Sequence, residues 1–380
     1  MAELISAREG PAGVRGELLD LTRLQALGRS LAGELLILQP RSSLWSRTEH
    51  LRRLNQHSRV LGQVYRTVAD DVHRGETVSP SSEWLLDNFH LIANEVRSVH
   101  HDLPRGYYRR LPKVVSPALA GAARIEVMAN ELIRHSDGRL DAERLRGFVL
   151  AFQSVSSLTI GELWAWPSVL KAALVGHVAG LSEGIRRTRD DCARADEYLA
   201  ALDQRASRRP KTPISAIASL SFIVRLLQRI REYGPHATAV RVDLEEWLSA
   251  KSLTLEDAIR VEGQREAADQ ASMANSITSL RFCTTLDWSR FFESVSQVEQ
   301  VLHRDPAGVY GRMDFSSRDQ YRQAIEELAD GTGEGQMRIA LQSVECARRG
   351  TVRESDRRSI HVGYYLIGAG RLSFETEIGH

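Results

Sequence analysis

The chain is poor in cysteine and in lysine. Its three cysteines, Cys192, Cys283 and Cys346, are scattered with no CxxC spacing. That excludes a disulfide framework and a thiolate metal cluster, and fits a reducing compartment. Lysine occurs only at Lys113, Lys171, Lys211 and Lys251; the other cations are arginines, and the formal net charge is +1. With no basic excess to meet a polyphosphate backbone, nucleic acid is not an expected partner. Long apolar runs are missing too. The nearest, WAWPSVLKAALVGHVAGL (164–181), is interrupted by Lys171 and His177 and reads as a buried helix rather than a membrane span. The N-terminal stretch MAELISAREGPAGVRGELLD carries charges where a signal peptide needs an apolar core, so export is not expected.

Period-two alternation is equally scarce, and helical periodicity fills the space it leaves. Apolar residues recur at three- and four-residue spacing in LTRLQALGRSLAGELLI (21–37) and again through residues 43–75 up to Gly75. Ser79, Pro80 and Glu83 make a helix start: serine caps free N–H groups, and proline lacks the donor that would go unpaired there. Pro104 closes that helix. Residues 158–202 read as one or two long helices, and Thr254 with Asp257, and Ser316 with Asp319, read as capping pairs. The fold class is all-α, a multi-helix bundle or extended helical array without significant sheet. The expected division is a flexible N-terminus (1–20), a helical subdomain (21–202), a charged, proline-containing linker (203–213) and a second helical subdomain (214–380).

Nucleotide and catalytic signatures are absent. There is no P-loop, no dinucleotide-binding GxGxxG after a strand, no GxSxG, no kinase set and no Asp-x-Asp for a nucleotide sugar and its metal. These residues alone do not compose a complete enzyme.

Three stretches nevertheless concentrate polar chemistry. In EWLLDNFHLIANEVRSVHH, Glu83, Asp87, His90 and Asn94, with His101 at its end, fall on one helix face at about 3.6 residues per turn. Such a stripe suits acid/base work or metal ligation, but no second helix supplies matching ligands. The competing reading is a hydrogen-bonded polar seam between packed helices. DLPRGYYRRLP (102–112) reads as a rigid, non-helical connection in which Arg105, Tyr107 and Tyr108 offer guanidinium and aromatic surface to a sugar or phosphate, or simply anchor a loop. LTIGELWAWP (158–167) sets Glu162 beside Trp164 and Trp166, a possible carbohydrate platform. At helical spacing tryptophan more commonly fills the core, and Glu162 more commonly caps its helix or pairs with an arginine.

Several of these blocks, in this order, carry a family resemblance. WLLDNFH, DLPRGYYRRLP, LTIGELWAWPSVLKAAL, DPAGVYGRMDFSSRDQYR and HVGYYLIGAGR resemble the N-terminal region of cyclic β-1,2-glucan synthases, over roughly residues 15–375. The resemblance implies a large bacterial inner-membrane enzyme that polymerises glucose from UDP-glucose on a protein-attached chain and cyclises it. A phosphorylase-like C-terminal domain adjusts chain length. It also implies UDP-glucose and a divalent metal for the full-length enzyme, none of them in this chain. The membrane-embedded transferase core and the phosphorylase-like domain lie outside this sequence. The expectation is therefore a scaffold at the cytoplasmic face of the inner membrane, partnered by the transferase core and not active alone. A glucan-binding module and a self-contained enzyme built on Glu83, Asp87 and His90 remain the alternatives, and no catalytic residue carries over.

Overall fold

The computed structural model describes residues 16–38, 49–115, 119, 121–203, 219–230, 232, 238–352 and 357–379. The expected linker at 203–213, apart from Asp203, and the first fifteen residues of the expected flexible N-terminus lie outside these. The described residues form sixteen α-helices. The first six are α1 (Leu21–Glu34), α2 (Glu49–His73), α3 (Pro80–Asp102), α4 (Arg105–Arg110), α5 (Arg124–Ser136) and α6 (Ala142–Gln153). Next come α7 (Ile160–Asp203), α8 (Leu220–Arg229), α9 (Thr238–Ala250) and α10 (Leu255–Thr285). The last six are α11 (Trp288–Val295), α12 (Gln297–Leu302), α13 (Phe315–Thr332), α14 (Gln336–Val352), α15 (Val362–Leu366) and α16 (Arg371–Ile378). Extended structure is confined to a two-residue antiparallel ribbon, β1 (Ile37–Leu38) against β2 (Lys113–Val114).

Local chemistry explains the boundaries. Ser79 caps α3 by accepting from the Ser82 N–H at 3.3 Å, and Pro80 occupies the first helical position. Thr254 and Asp257 form a reciprocal capping box at the start of α10. Two expectations need correction. The cap of α13 is Asp314, whose carboxylate accepts from the Ser317 N–H at 2.8 Å; Ser316 already lies inside the first turn. A negative charge at the positive end of the helix suits that role better than a hydroxyl. Residues 105–110, expected to be non-helical, form the short helix α4. Pro104 presets the backbone at its N-cap, and its carbonyl accepts from the N–H groups of Tyr107 and Tyr108 at 3.0 and 3.1 Å.

α7 is the axis of the molecule. Its first half buries Leu163, Ala165, Trp166, Val169, Leu170, Leu174, Val175 and Val178, so it is apolar on nearly every side. Helices α2, α3, α5 and α10 pack around it. No described helix is long and apolar enough to cross a membrane; the apolar character of 164–181 is absorbed by other helices. α10 runs antiparallel to α7, since His177 meets Ser276 while Thr188 meets Arg265. The main core draws on residues from Leu24 to Phe374. A second, smaller core forms where the distal end of α7 (Ala195, Leu199) meets α8, α9 and Ala258 of α10.

Candidate functional site

Glu83, Asp87, His90 and Asn94 do share one face of α3, and that face is exposed to solvent, as is His101. Asn94 accepts a hydrogen bond from Arg97 of the same helix. The buried polar seam is made by other residues of α3. Asn88 donates to the Trp84 carbonyl at 2.8 Å and accepts from Arg281 of α10. Glu95 pairs with Lys171 of α7 at 2.7 Å and accepts from Thr284 at 3.1 Å. Consecutive helical residues are about 100° apart around the axis, so Asp87 faces water while Asn88 faces the bundle.

Most of the proposed sugar contacts are engaged inside the protein. Arg105 is exposed. Tyr107 donates to the Gly161 carbonyl at 2.7 Å, tying α4 to the start of α7. Tyr108 is 3% exposed; its hydroxyl donates to Glu126 and accepts from the Ala123 N–H at 3.1 Å. Burial first, and the Glu126 carboxylate second, push the Tyr108 phenol above its usual range. Glu162 is fully buried, accepts from Arg124 at 2.9 and 2.6 Å, and also accepts from the Thr159 N–H at 2.9 Å. It therefore both caps its helix and pairs with an arginine. Trp166 is buried, and Trp164 stacks on Phe292 with centroids 4.7 Å apart and meets Phe315 edge-on. Neither ring forms an open platform.

Among the concave features of the described residues is a cavity of about 310 Å³ between α2, α3, α5 and α7. Its floor is apolar, made by Leu54, Val99, Leu103, Ile133, Val169 and Ala173. Polar groups ring it: His50, Arg53 and His57 from α2, Glu126, Asn130 and Arg134 from α5, and His177 from α7. Arg53 pairs with Glu126 at 2.9 Å, and His177 Nδ1 lies 2.8 Å from the Ser276 hydroxyl. His50 stacks on Tyr108 with centroids 3.6 Å apart, while the Lys113 ammonium sits 3.4 Å from the other partner's ring centroid. Burial lowers His50 to about 4, helped by the positive charges of Lys113, Arg53 and His100 and opposed by the Leu103 backbone. Burial also lowers His57, with Arg53 adding to the shift, and holds Lys113 down at about 8 against the attraction of Glu126. Both histidines are therefore neutral near pH 7. The spacing of His50, Arg53 and His57, at offsets of three and seven, places them on one helix face; that pattern was the signal in the sequence, set one helix before the stripe that drew attention.

Two further buried networks close the C-terminal half. Asp305 accepts from the Val362 N–H at 3.0 Å and from His361 at 2.8 Å, and His361 Nε2 lies 3.1 Å from the Tyr321 hydroxyl. Glu299 accepts from Tyr310 at 2.8 Å and from Arg322 at 3.1 Å.

No family model matches the chain. Against curated proteins, 377 residues, 97% of the chain, align at 32% identity with the cyclic β-(1,2)-glucan synthase NdvB of Rhizobium meliloti (strain 1021). The chain is homologous to the N-terminal region of a cyclic β-(1,2)-glucan synthase. It spans 13% of the length of that synthase. Several of the blocks on which the sequence resemblance was read touch one another in the fold. DLPRGYY meets LTIGELW through Tyr107 and Gly161, LTIGELW meets the Phe315 block through Trp164, and DPAGVY meets HVGYY through Asp305 and His361.

Proposed function

We propose that this chain is a helical scaffold in β-1,2-glucan synthesis, a module that supports a UDP-glucose-dependent polymerase and cyclase without performing the chemistry itself. The carrying observation is the use made of the residues best suited to catalysis or sugar binding. Glu162, Tyr107, Tyr108 and Trp164 are spent on internal bonds and stacking and Trp166 is buried in the core, which supports a structural role for the segments shared with the synthase. On this reading the partner is the membrane-embedded transferase core, the place of action is the cytoplasmic face of the inner membrane, and UDP-glucose and its divalent metal belong to the transferase.

The test is direct. The purified chain is incubated with UDP-glucose and a divalent metal, and glucan is sought by chromatography. No product is expected; polymer formed by this chain alone would overturn the scaffold reading. In a full-length synthase, deletion of the corresponding region is expected to abolish glucan production while leaving unaffected the phosphorolysis catalysed by the separately expressed phosphorylase-like domain.

A further inference from the structure

Helices α2 and α3 each turn one face to solvent, and each face carries charge that is not balanced within the bundle. Arg59 and Arg66 on α2, and Glu83 and Asp87 on α3, are exposed and make no hydrogen bond or ion pair among the described residues. Surface arginines elsewhere do find local partners, as Arg52 does with Glu49 at 2.7 Å and Arg186 with Glu183 at 2.9 Å. Between the free charges lies an aromatic centre. Tyr65 and Phe89, both half-buried, stack across the two helices with centroids 4.1 Å apart. Aromatic surface inside a polar, charged rim is the usual make-up of a protein–protein contact.

The register of the two helices makes this face self-complementary. His100 Nε2 lies 3.0 Å from Asn55 Oδ1 and Tyr65 stacks on Phe89, so α3 runs antiparallel to α2, and Asp87 comes level with Arg66 to within a turn. Consider a twofold axis lying in the plane of the face, parallel to the helices and midway between them. It lays α2 of one copy on α3 of the other and leaves the height of every residue unchanged. Each Arg66 then stands opposite the second copy's Asp87, twice over, and the two stacked ring pairs meet at the centre. Arg59 comes opposite Asn94, and Glu83 opposite His73. A foreign partner has no reason to match these heights; a second copy matches them by construction. The area is sufficient as well. With 25 and 23 residues the helices are about 35 Å long, and side by side they offer a face of roughly 700 Å². A standard interface takes roughly 800 Å² from each partner.

We infer that the chain self-associates as a twofold dimer through the outer face of α2 and α3, with Arg66 of each copy paired to Asp87 of the other around a centre of Tyr65 and Phe89. The exposed acidic stripe of α3 is then a contact surface. Nothing in this inference depends on the scaffold reading.

The experiment is analytical ultracentrifugation of the whole 380-residue chain over a concentration series reaching about 200 μM. The 42.5 kDa monomer should give way to a species of twice that mass, and added salt should shift the balance back towards monomer. Arg66→Glu and Asp87→Arg, both at exposed positions, should each weaken the dimer about twentyfold with circular dichroism unchanged, because the axis uses the reversed contact twice. Mixing the two variants is the decisive step. In the mixed dimer both contacts again join opposite charges, so association should return to within about threefold of the parent. A chain that stays monomeric at the highest concentration, or assembles beyond a dimer, would overturn the inference. So would a dimer indifferent to salt, one that survives both charge reversals, or folded variants that fail to associate when mixed. The salt series needs no substitution, so it decides the matter even if a variant misfolds. The scaffold reading stands or falls separately, on the polymerisation assay and the full-length deletion.

Discussion

Arg124 and Glu162 form a two-pronged ion pair, at 2.9 and 2.6 Å, with side chains 1% and 0% exposed. It joins the first residue of α5 to the first turn of α7. The Arg124 guanidinium spends its other N–H groups on the Ser156 hydroxyl and the Ser157 carbonyl, both in the loop before α7. A buried charge pair is worth little against an apolar replacement, but half of one is very costly. Glu162→Ala should therefore destabilise the protein by about 3–5 kcal/mol, measured by urea unfolding. The double variant Arg124→Met with Glu162→Leu should cost clearly less than the sum of the two single changes. A small effect of Glu162→Ala alone would contradict the geometry.

The exposed stripe and the buried seam of α3 separate by mutation. His90→Ala should move stability by no more than about 0.5 kcal/mol, since it removes a solvent-facing side chain. Asn88→Ala strips Arg281 of a buried acceptor and should cost about 1–3 kcal/mol. Thermal melts of the two variants side by side give the comparison. Equal losses would place His90 in the interior.

Acid pH should loosen the α2 interface. His50 titrates near 6.5 when unfolded and at about 4 when folded, because burial disfavours its charged form. The unfolded chain then binds more protons between those values, so His50's contribution is complete above pH 6.5 and is lost as pH falls through about 4. Glu326 runs the other way. Burial, with Asp330 next, raises its carboxyl from 4.5 to about 7, so its contribution is complete below pH 4.5 and is lost as pH rises through 7. Glu326→Gln should accordingly gain stability relative to the parent at pH 8 compared with pH 5. His50→Gln should flatten the acid limb of the stability profile. Urea titrations across this range would refute both assignments if the profiles stayed parallel to the parent.

Gly138 is needed twice over. Its φ of +72° is a left-handed conformation, and a Cβ there would land on the Ser276 hydroxyl that partners His177. Gly138→Ala combines backbone strain with overpacking between α5 and α10, for a loss of roughly 2–4 kcal/mol in chemical denaturation. Gly33→Ala, with open space around its Cβ and a helical backbone, should instead be neutral or slightly stabilising.

Helix content, most helix starts and the buried nature of residues 164–181 are legible in the order of residues, because periodicity and capping act within a few positions of the chain. The assignment of Asp87 rather than Asn88 to a functional face was half legible. The spacing defines which residues share a side, while only the packing of α3 between α7 and α10 decides which side is inward. Residues 105–110 read as non-helical in the sequence because the flanking prolines act locally as breakers, whereas in the fold Pro104 starts a turn that Tyr107 and Tyr108 anchor to distant partners.

By itself, then, the sequence determined an all-α protein, capped helix starts such as those of α3 and α10, and its likeness to the synthase. These follow from interactions of short reach and from the order of distinctive blocks. Tertiary structure alone decided the roles of the polar residues. Glu162 became half of a buried ion pair because α5 brings in Arg124 from 38 positions away in sequence. His50 and His57, unremarkable in the chain, line a hollow because α3, α5 and α7 close around them. Burial and partnership are properties of the packed bundle, and they set whether an ionisable side chain holds the fold or faces a ligand.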